Sequence, residues 1–226
     1  MEKHRAYYEL LDRLPQGGCS ICHAVGVGMD SYLNSYLEEG VTDEDNWGAL
    51  KAAHGWCGRH ARRLEAKADG LAVSLFYGHL IDEALTQSLG AWSALGRLKD
   101  ALSSTKAAPC PGCQRERESE AGHCHLMAQA AGEPEAQAPM RLHLQLCLPH
   151  FRESLRRAEG AGADFLRDDQ GGKLKALRAE LELFVRKTSH DGGVHEPLGP
   201  EADSWKRALK RWYGLHYPDG GEHGPR

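Results

Sequence analysis

Cys19-Ser20-Ile21-Cys22 is followed after 34 residues by Cys57-Gly58-Arg59-His60, and Cys110-Pro111-Gly112-Cys113 is followed after 33 residues by Cys147-Leu148-Pro149-His150. The 226-residue chain therefore spells one four-ligand pattern twice. Each half supplies three thiols and one imidazole, a donor set that suits a tetrahedral zinc ion. A lone CxxC has many explanations, whereas two CxxC…CxxH units of nearly equal length have few. The repeat predicts two bound metals, with Cys19, Cys22, Cys57 and His60 closing one site and Cys110, Cys113, Cys147 and His150 the other. A CxxC turn lets two sulfurs converge on one ion, and a CxxH at a helix entry places both side chains on one face. Arg59, Arg62 or Arg152 could donate to the thiolates, because zinc with three thiolates and one imidazole carries a formal charge of −1.

Outward from these motifs the apolar spacing is helical. Tyr7, Leu10, Leu11 and Leu14 form a stripe ahead of Pro15, and Val25, Met29, Tyr32, Leu33, Tyr36 and Leu37 form another after Cys22. Thr42 or Asp43 can cap a short helix through Trp47 and Leu50. The longest pattern runs from about Leu71 to Leu102 and reads as a central helix, followed by a linker from Ser103 to Pro109. A second series follows Cys113, with an interruption at Gly132 to Pro139, a helix through Phe151 and Leu155, a loop at Gly160 to Gly172 and a helix from Lys173 to Lys187. A last amphipathic helix holds Trp205, Leu209 and Trp212. No alternating strand pattern of useful length occurs. The expected fold is all-α, an internally duplicated helical bundle with two Cys3His metal sites. The units are residues 1–105 with the first motif pair, 106–160 with the second, and 161–226 with the C-terminal helices and a packing arm.

Composition narrows the function classes. The chain has 28 basic and 32 acidic side chains, a net charge of −4, which argues against a general nucleic-acid binder. No run approaches the ~20 apolar residues of a membrane span, and the first residues carry no apolar signal core. The expected location is cytoplasmic, where seven cysteines read as metal ligands rather than disulfides. Four protein ligands per ion leave no open position, the structural rather than catalytic arrangement. An iron–sulfur cluster or a thiol redox switch are the alternatives to zinc. Cys19-Ser-Ile-Cys22-His23 also matches the c-type haem attachment motif, but the second unit has Gln114 where His23 stands.

Two further segments hold potential chemistry. His123-Cys124-His125 is a candidate reactive or third metal site, although alternating positions diverge on a helix and cysteine is commonly a small buried residue. The tail from His190 to Trp205 combines His190, His195, Glu196, Glu201 and Asp203 in a Gly/Pro-rich loop. It reads either as a ligand site or as an arm in which Asp203 or Ser204 caps the last helix and Trp205 anchors it. Lys206, Arg207, Lys210 and Arg211 read as a solvated face of that helix, or as a contact for an acidic partner or phosphate.

The blocks Gly55-Trp-Cys57-Gly-Arg-His60, Leu146-Cys147-Leu-Pro-His150-Phe151 and Glu201-Ala-Asp203-Ser-Trp205-Lys-Arg-Ala208 carry a resemblance. The chain resembles a prokaryotic family of unknown function with paired CxxC…CxxH units and a tail rich in Glu, Asp and Trp, over about Cys19 to Gly214. The resemblance implies a helical fold with metal sites and transfers no activity. No nucleophile–base pair or phosphate loop is evident. The leading expectation is a zinc-binding, non-enzymatic scaffold or regulatory interaction protein with two zinc ions per chain and a protein partner. The alternatives are a small-ligand binder or enzyme with a pocket at the C-terminal tail, and a redox sensor.

Overall fold

A computed structural model describes residues 5–40, 43–90, 107–189 and 197–214, without the side chains of 87–90. The described residues form ten α-helices: α1 (Arg5–Asp12), α2 (Ser20–Glu38), α3 (Glu44–Ala52), α4 (Gly58–Glu65), α5 (Gly70–Gly90), α6 (Pro111–Ala131), α7 (Pro134–His143), α8 (Leu148–Arg157), α9 (Gly160–Thr188) and α10 (Ser204–Tyr213). They include no strand; one isolated parallel bridge joins Cys19 to Gln145. The all-α class expected from the spacing is the observed one.

The chain divides into two compact units, one drawn from Met1–Gly26 and Ser119–Arg226, the other from Val27–Glu118. The outer unit thus takes both ends of the chain and the inner unit its middle. The divisions fall inside α2 and α6.

In the inner unit the core is aromatic. Tyr36 meets Trp56 edge-on at 4.7 Å and Phe76 at 5.2 Å between ring centroids, and Trp47 lies 5.1 Å from Phe76. Such pairs contribute on the order of 1 kcal/mol each beyond area burial. His79 packs edge-on against Trp47 at 4.9 Å, a packing role rather than a ligand's. Asp43 caps α3 by accepting from the Asn46 amide at 2.9 Å, as its position before the apolar run suggested. The Ala108 amide donates to the Ala52 carbonyl at 2.8 Å, which ties the chain just before Cys110 to the end of α3.

In the outer unit Tyr7, Leu10 and Leu14 are buried, along with Ile21 and Val25 at the start of α2 and Met127, Ala130 and Ala131 of α6. Two expected interruptions are helical. Residues 132–139 contain only a short break before α7, with Pro134 in its first turn and Pro139 inside it. Residues 160–172 open the 29-residue α9 rather than forming a loop. Their glycines suggested a loop, but Gly162, Ala163, Phe165, Leu166, Asp169 and Gln170 are buried at three- and four-residue spacing. Gly162 allows a close approach: a Cβ there would lie 3.0 Å from the Gly132 amide nitrogen. Burial of this stripe outweighs the ~1 kcal/mol that each glycine costs a helix relative to alanine.

The expected central helix is observed to Gly90; its continuation to Leu102, and the linker residues 103–106, lie outside the described residues.

Candidate metal centres

Four helix N-termini carry the eight candidate ligand residues. Cys57 and Cys147 are the N-cap residues of α4 and α8, with nearly superposable backbones (φ −65°, ψ 157° and φ −66°, ψ 159°). Each accepts the first helical hydrogen bond at 2.8 Å, from Ala61 and Phe151 respectively. His60 and His150 follow within the first turn. Cys19 and Cys110 stand just before α2 and α6, and each accepts a 3.0 Å bond from the residue four further on. Cys22 and Cys113 lie in the first turn, so each CxxC is a helix start rather than a separate knuckle. Pro111 at the first helical position has no amide to leave unpaired. The partial positive charge of these termini favours thiolates.

The pairing corrects the sequence expectation. Cys19 and Cys22 converge with Cys147 and His150, while Cys57 and His60 converge with Cys110 and Cys113; in each group all four ligand atoms lie within 4.8 Å of one another. The pairs are nested, first with fourth and second with third, and each cluster sits wholly within one compact unit.

Both clusters have the dimensions of a cage for one ion. Zn–S near 2.3 Å and Zn–N near 2.05 Å in a tetrahedron require S···S of about 3.8 Å and S···N of about 3.5 Å. In the outer cluster the Nδ1 atom of His150 lies 3.4 Å from Cys19 Sγ, 3.4 Å from Cys22 Sγ and 3.2 Å from Cys147 Sγ, and the Cys22 and Cys147 sulfurs are 3.6 Å apart. In the inner cluster His60 Nδ1 lies 3.2, 3.6 and 3.5 Å from the sulfurs of Cys57, Cys110 and Cys113, and Cys57 to Cys113 is 3.5 Å. All seven cysteines are free thiols.

Each imidazole turns its Nε2 toward a glutamate of α6. His60 Nε2 lies 3.9 Å from Glu116, and His150 Nε2 lies 3.6 Å from Glu120, one helical turn further on. A carboxylate behind a ligating imidazole fixes its tautomer and raises its basicity. The two glutamates differ in their other commitments. Glu116 is buried and accepts both arms of the Arg59 guanidinium, Nη1 to Oε1 at 2.7 Å and Nη2 to Oε2. With that charge shared, burial and then Arg59 lower the His60 pKa. For His150 burial also opposes the charged form, but Cys147, Cys19 and Glu120 draw a proton to the ring and push its pKa up to about 12. Burial opposes ionisation of Cys19 as well, yet bonds from Cys147, Cys22 and His150 hold it well below the usual thiol range. Cys22 is raised, first by its bond to Cys147. A divalent ion entering this cage would displace those shared protons.

The outer cage is positioned by residues that motif reading missed. Gln170 of α9 accepts from the Leu146 amide at 3.1 Å and donates to the Leu144 carbonyl at 3.2 Å; Lys173 donates to Leu144 O at 2.8 Å and Asp169 at 2.9 Å. These bonds fix the segment entering Cys147. The only sequence signal was the stripe hidden in the presumed loop. Two glycines fit against the cages. A Cβ on Gly112 would lie 2.7 Å from the His60 ring, and one on Gly214, at the end of α10, 2.5 Å from Cys147 Sγ and 3.3 Å from Cys22 Sγ.

The other candidates fall elsewhere. His23 is exposed and belongs to neither cluster. Arg62 and Arg152 are exposed; Arg59 alone of the three proposed donors reaches the inner cage. Cys124 is fully buried, and His123 bonds to Ser119 of its own helix, Nδ1 to the carbonyl at 2.8 Å; no third cluster forms among the described residues. His190, His195 and Glu196 lie outside the described residues. Glu201 and Asp203 do not share a site: Glu201 accepts from the Gly199 amide and pairs with Lys187, and Asp203 pairs with Arg207. Asp203 precedes α10 without a side-chain cap bond, and Trp205 is 44% exposed, so it does not anchor the arm. Arg211 does not belong to a solvated face; it is half-buried and donates from Nη2 to Gln170 at 3.1 Å.

Fold and site together define an all-α protein with two Cys3His clusters suited to metal. The chain is similar to an uncharacterized 23.9 kDa protein in xynA 3'region from Caldicellulosiruptor sp. (strain Rt8B.4), 29% identical over 72 residues, 32% of this chain and 35% of that protein. The match thus spans about a third of that relative's length. No family model matches the chain, and no solved structure matches it.

Proposed function

We propose that this chain is a zinc-binding scaffold or regulatory interaction protein, with two zinc ions, one inside each unit, that are structural and take no part in chemistry. The observation that carries the reading is the closure of both cages: four side-chain donors at single-ion spacing, each imidazole backed by a glutamate. The tight S···S and S···N distances favour one ion over an iron–sulfur cluster, whose thiolates spread over several irons. Internal duplication is part of this reading, supported by the matching caps at Cys57 and Cys147. So is a cytoplasmic setting with a protein partner and no nucleic acid. No helix among the described residues is long and apolar enough to cross a membrane.

Elemental analysis of protein purified without added metal is expected to give two zinc ions per chain, in a colourless sample that keeps them under mild peroxide. Stoichiometric iron with absorption near 400 nm would replace the zinc reading, and reversible peroxide release of metal would favour a redox switch. Affinity capture from the native cell then tests the scaffold role: a stoichiometric protein partner supports it, and turnover of a small molecule without any partner overturns it.

A further inference from the structure

In the outer unit a cleft of about 460 Å³ lies between α9 and α10, lined by Leu142, Lys173, Leu177, Arg207, Lys210 and Arg211 among others, with Cys19 in its wall. Its volume is in the range of small-molecule sites. One wall is apolar: Leu142 is 79% exposed, and Ala176 and Leu177 continue the surface along α9.

The charges separate into committed and uncommitted groups. Lys173 gives its ammonium to Met140 O, Leu144 O and Asp169, three acceptors for three donors. Arg207 is bound to Glu180, Asp203 and the Pro200 carbonyl, which also occupies Glu180, the one carboxylate lining the cleft. Arg211 and Lys210 remain. Arg211 forms no ion pair among the described residues, and its Nη1 is buried with no hydrogen-bond partner. Lys210 is exposed and has no acidic partner among them. Cys19, Cys147 and the Asp169 carboxylate lie close enough to act electrostatically on Arg211 and offset part of its charge.

We infer that this cleft binds an organic anion, a single carboxylate or phosphate head at Arg211 and Lys210 on an apolar body lying along Leu142 and Leu177. The anion would be held by side chains other than the eight of the metal cages. Cys19 lines the cleft, so the bound anion and the outer cage share a wall.

The test uses the full-length, metal-loaded chain with methyl-labelled leucines, titrated with octanoate, octanol and inorganic phosphate, and its metal content measured in the same samples. Octanoate is expected to give saturable shifts at the Leu142 and Leu177 methyls, with octanol binding more weakly. Lys210→Glu is expected to weaken octanoate roughly fivefold and leave octanol unchanged. Leu142→Asp, at an exposed position with little folding cost, is expected to abolish the octanoate shifts. Absence of saturable shifts in fully loaded protein overturns the inference. Equal binding of octanol and octanoate, unaffected by Lys210→Glu, overturns it too, by reducing the cleft to an apolar groove. Octyl phosphate in place of octanoate decides which head group is preferred. A metal content other than two zinc ions would bear on the proposed function and not on this result.

Discussion

Gly214→Ala places the largest local demand on the outer cage. Gly214 has φ +58° and ψ −129°, a conformation close to the region that glycine alone occupies readily. Forcing alanine into it costs about 1–3 kcal/mol from backbone strain. The new methyl would also sit 2.5 Å from Cys147 Sγ and 3.0 Å from its Cβ, well inside contact distance. Either the cage sulfur or the end of α10 must move, and a metal ion in the cage would hold the sulfur in place. A penalty near 2 kcal/mol falling on the loaded state corresponds to about a thirtyfold loss of affinity. Competition with a chromogenic chelator should therefore show one of the two ions held some ten- to hundredfold more weakly and the other unchanged. Gly171→Ala is the control, because nothing lies within 4 Å of its Cβ position and it is interior to α9; it should leave both affinities intact. If Gly214→Ala releases both ions on the native curve, the packing of α10 against the outer cage is wrong.

Cys124 should resist iodoacetamide at pH 7.5 in the native, loaded protein, since burial above all pushes its thiol up to about 11; rapid native labelling would contradict its burial. Glu201 should remain ionised well into the acid range. The Gly199 amide, and then Lys187, hold its pKa down to about 2. A carboxyl depressed in the folded state stabilises at pH above its unfolded value of ~4.3, and that contribution is lost as pH falls toward the folded one. The Gly199 amide shift should accordingly stay flat from pH 7 to 5, and Lys187→Met should raise the carboxyl pKa; a wild-type curve already bending by pH 5, where an ordinary glutamate is about a sixth protonated, would refute the contact.

The eight Cys and His residues that cluster and the all-α class were legible in the sequence because they rest on residue type and local period. The pairing was not. Near-equal gaps of 34 and 33 residues favoured sequential closure, yet the nested arrangement closes 124 residues between Cys22 and Cys147. Chain entropy charges only about 1 kcal/mol for that extra length, small beside the ~10 kcal/mol a zinc site contributes to folding. Spacing therefore cannot choose between the two closures; what chooses is which helix starts the packed units bring together. The same limit hid Gln170 and Lys173, whose helix is stabilised by burial of a stripe across glycines that local propensity reads as a loop. The C-terminal tryptophans misled in the opposite direction: Trp205 and Trp212 keep helical spacing but stay largely exposed, while Arg211 turns inward.

Metal stoichiometry in two double variants tests the nested cages most directly. Cys22→Ser with Cys147→Ser removes two ligands of one cage and should leave one zinc ion per chain, held by Cys57, His60, Cys110 and Cys113. Cys22→Ser with Cys57→Ser removes one ligand from each cage and should leave neither ion tightly bound. The reverse outcome, no tightly held ion in the first variant and one in the second, would restore sequential closure and contradict the account.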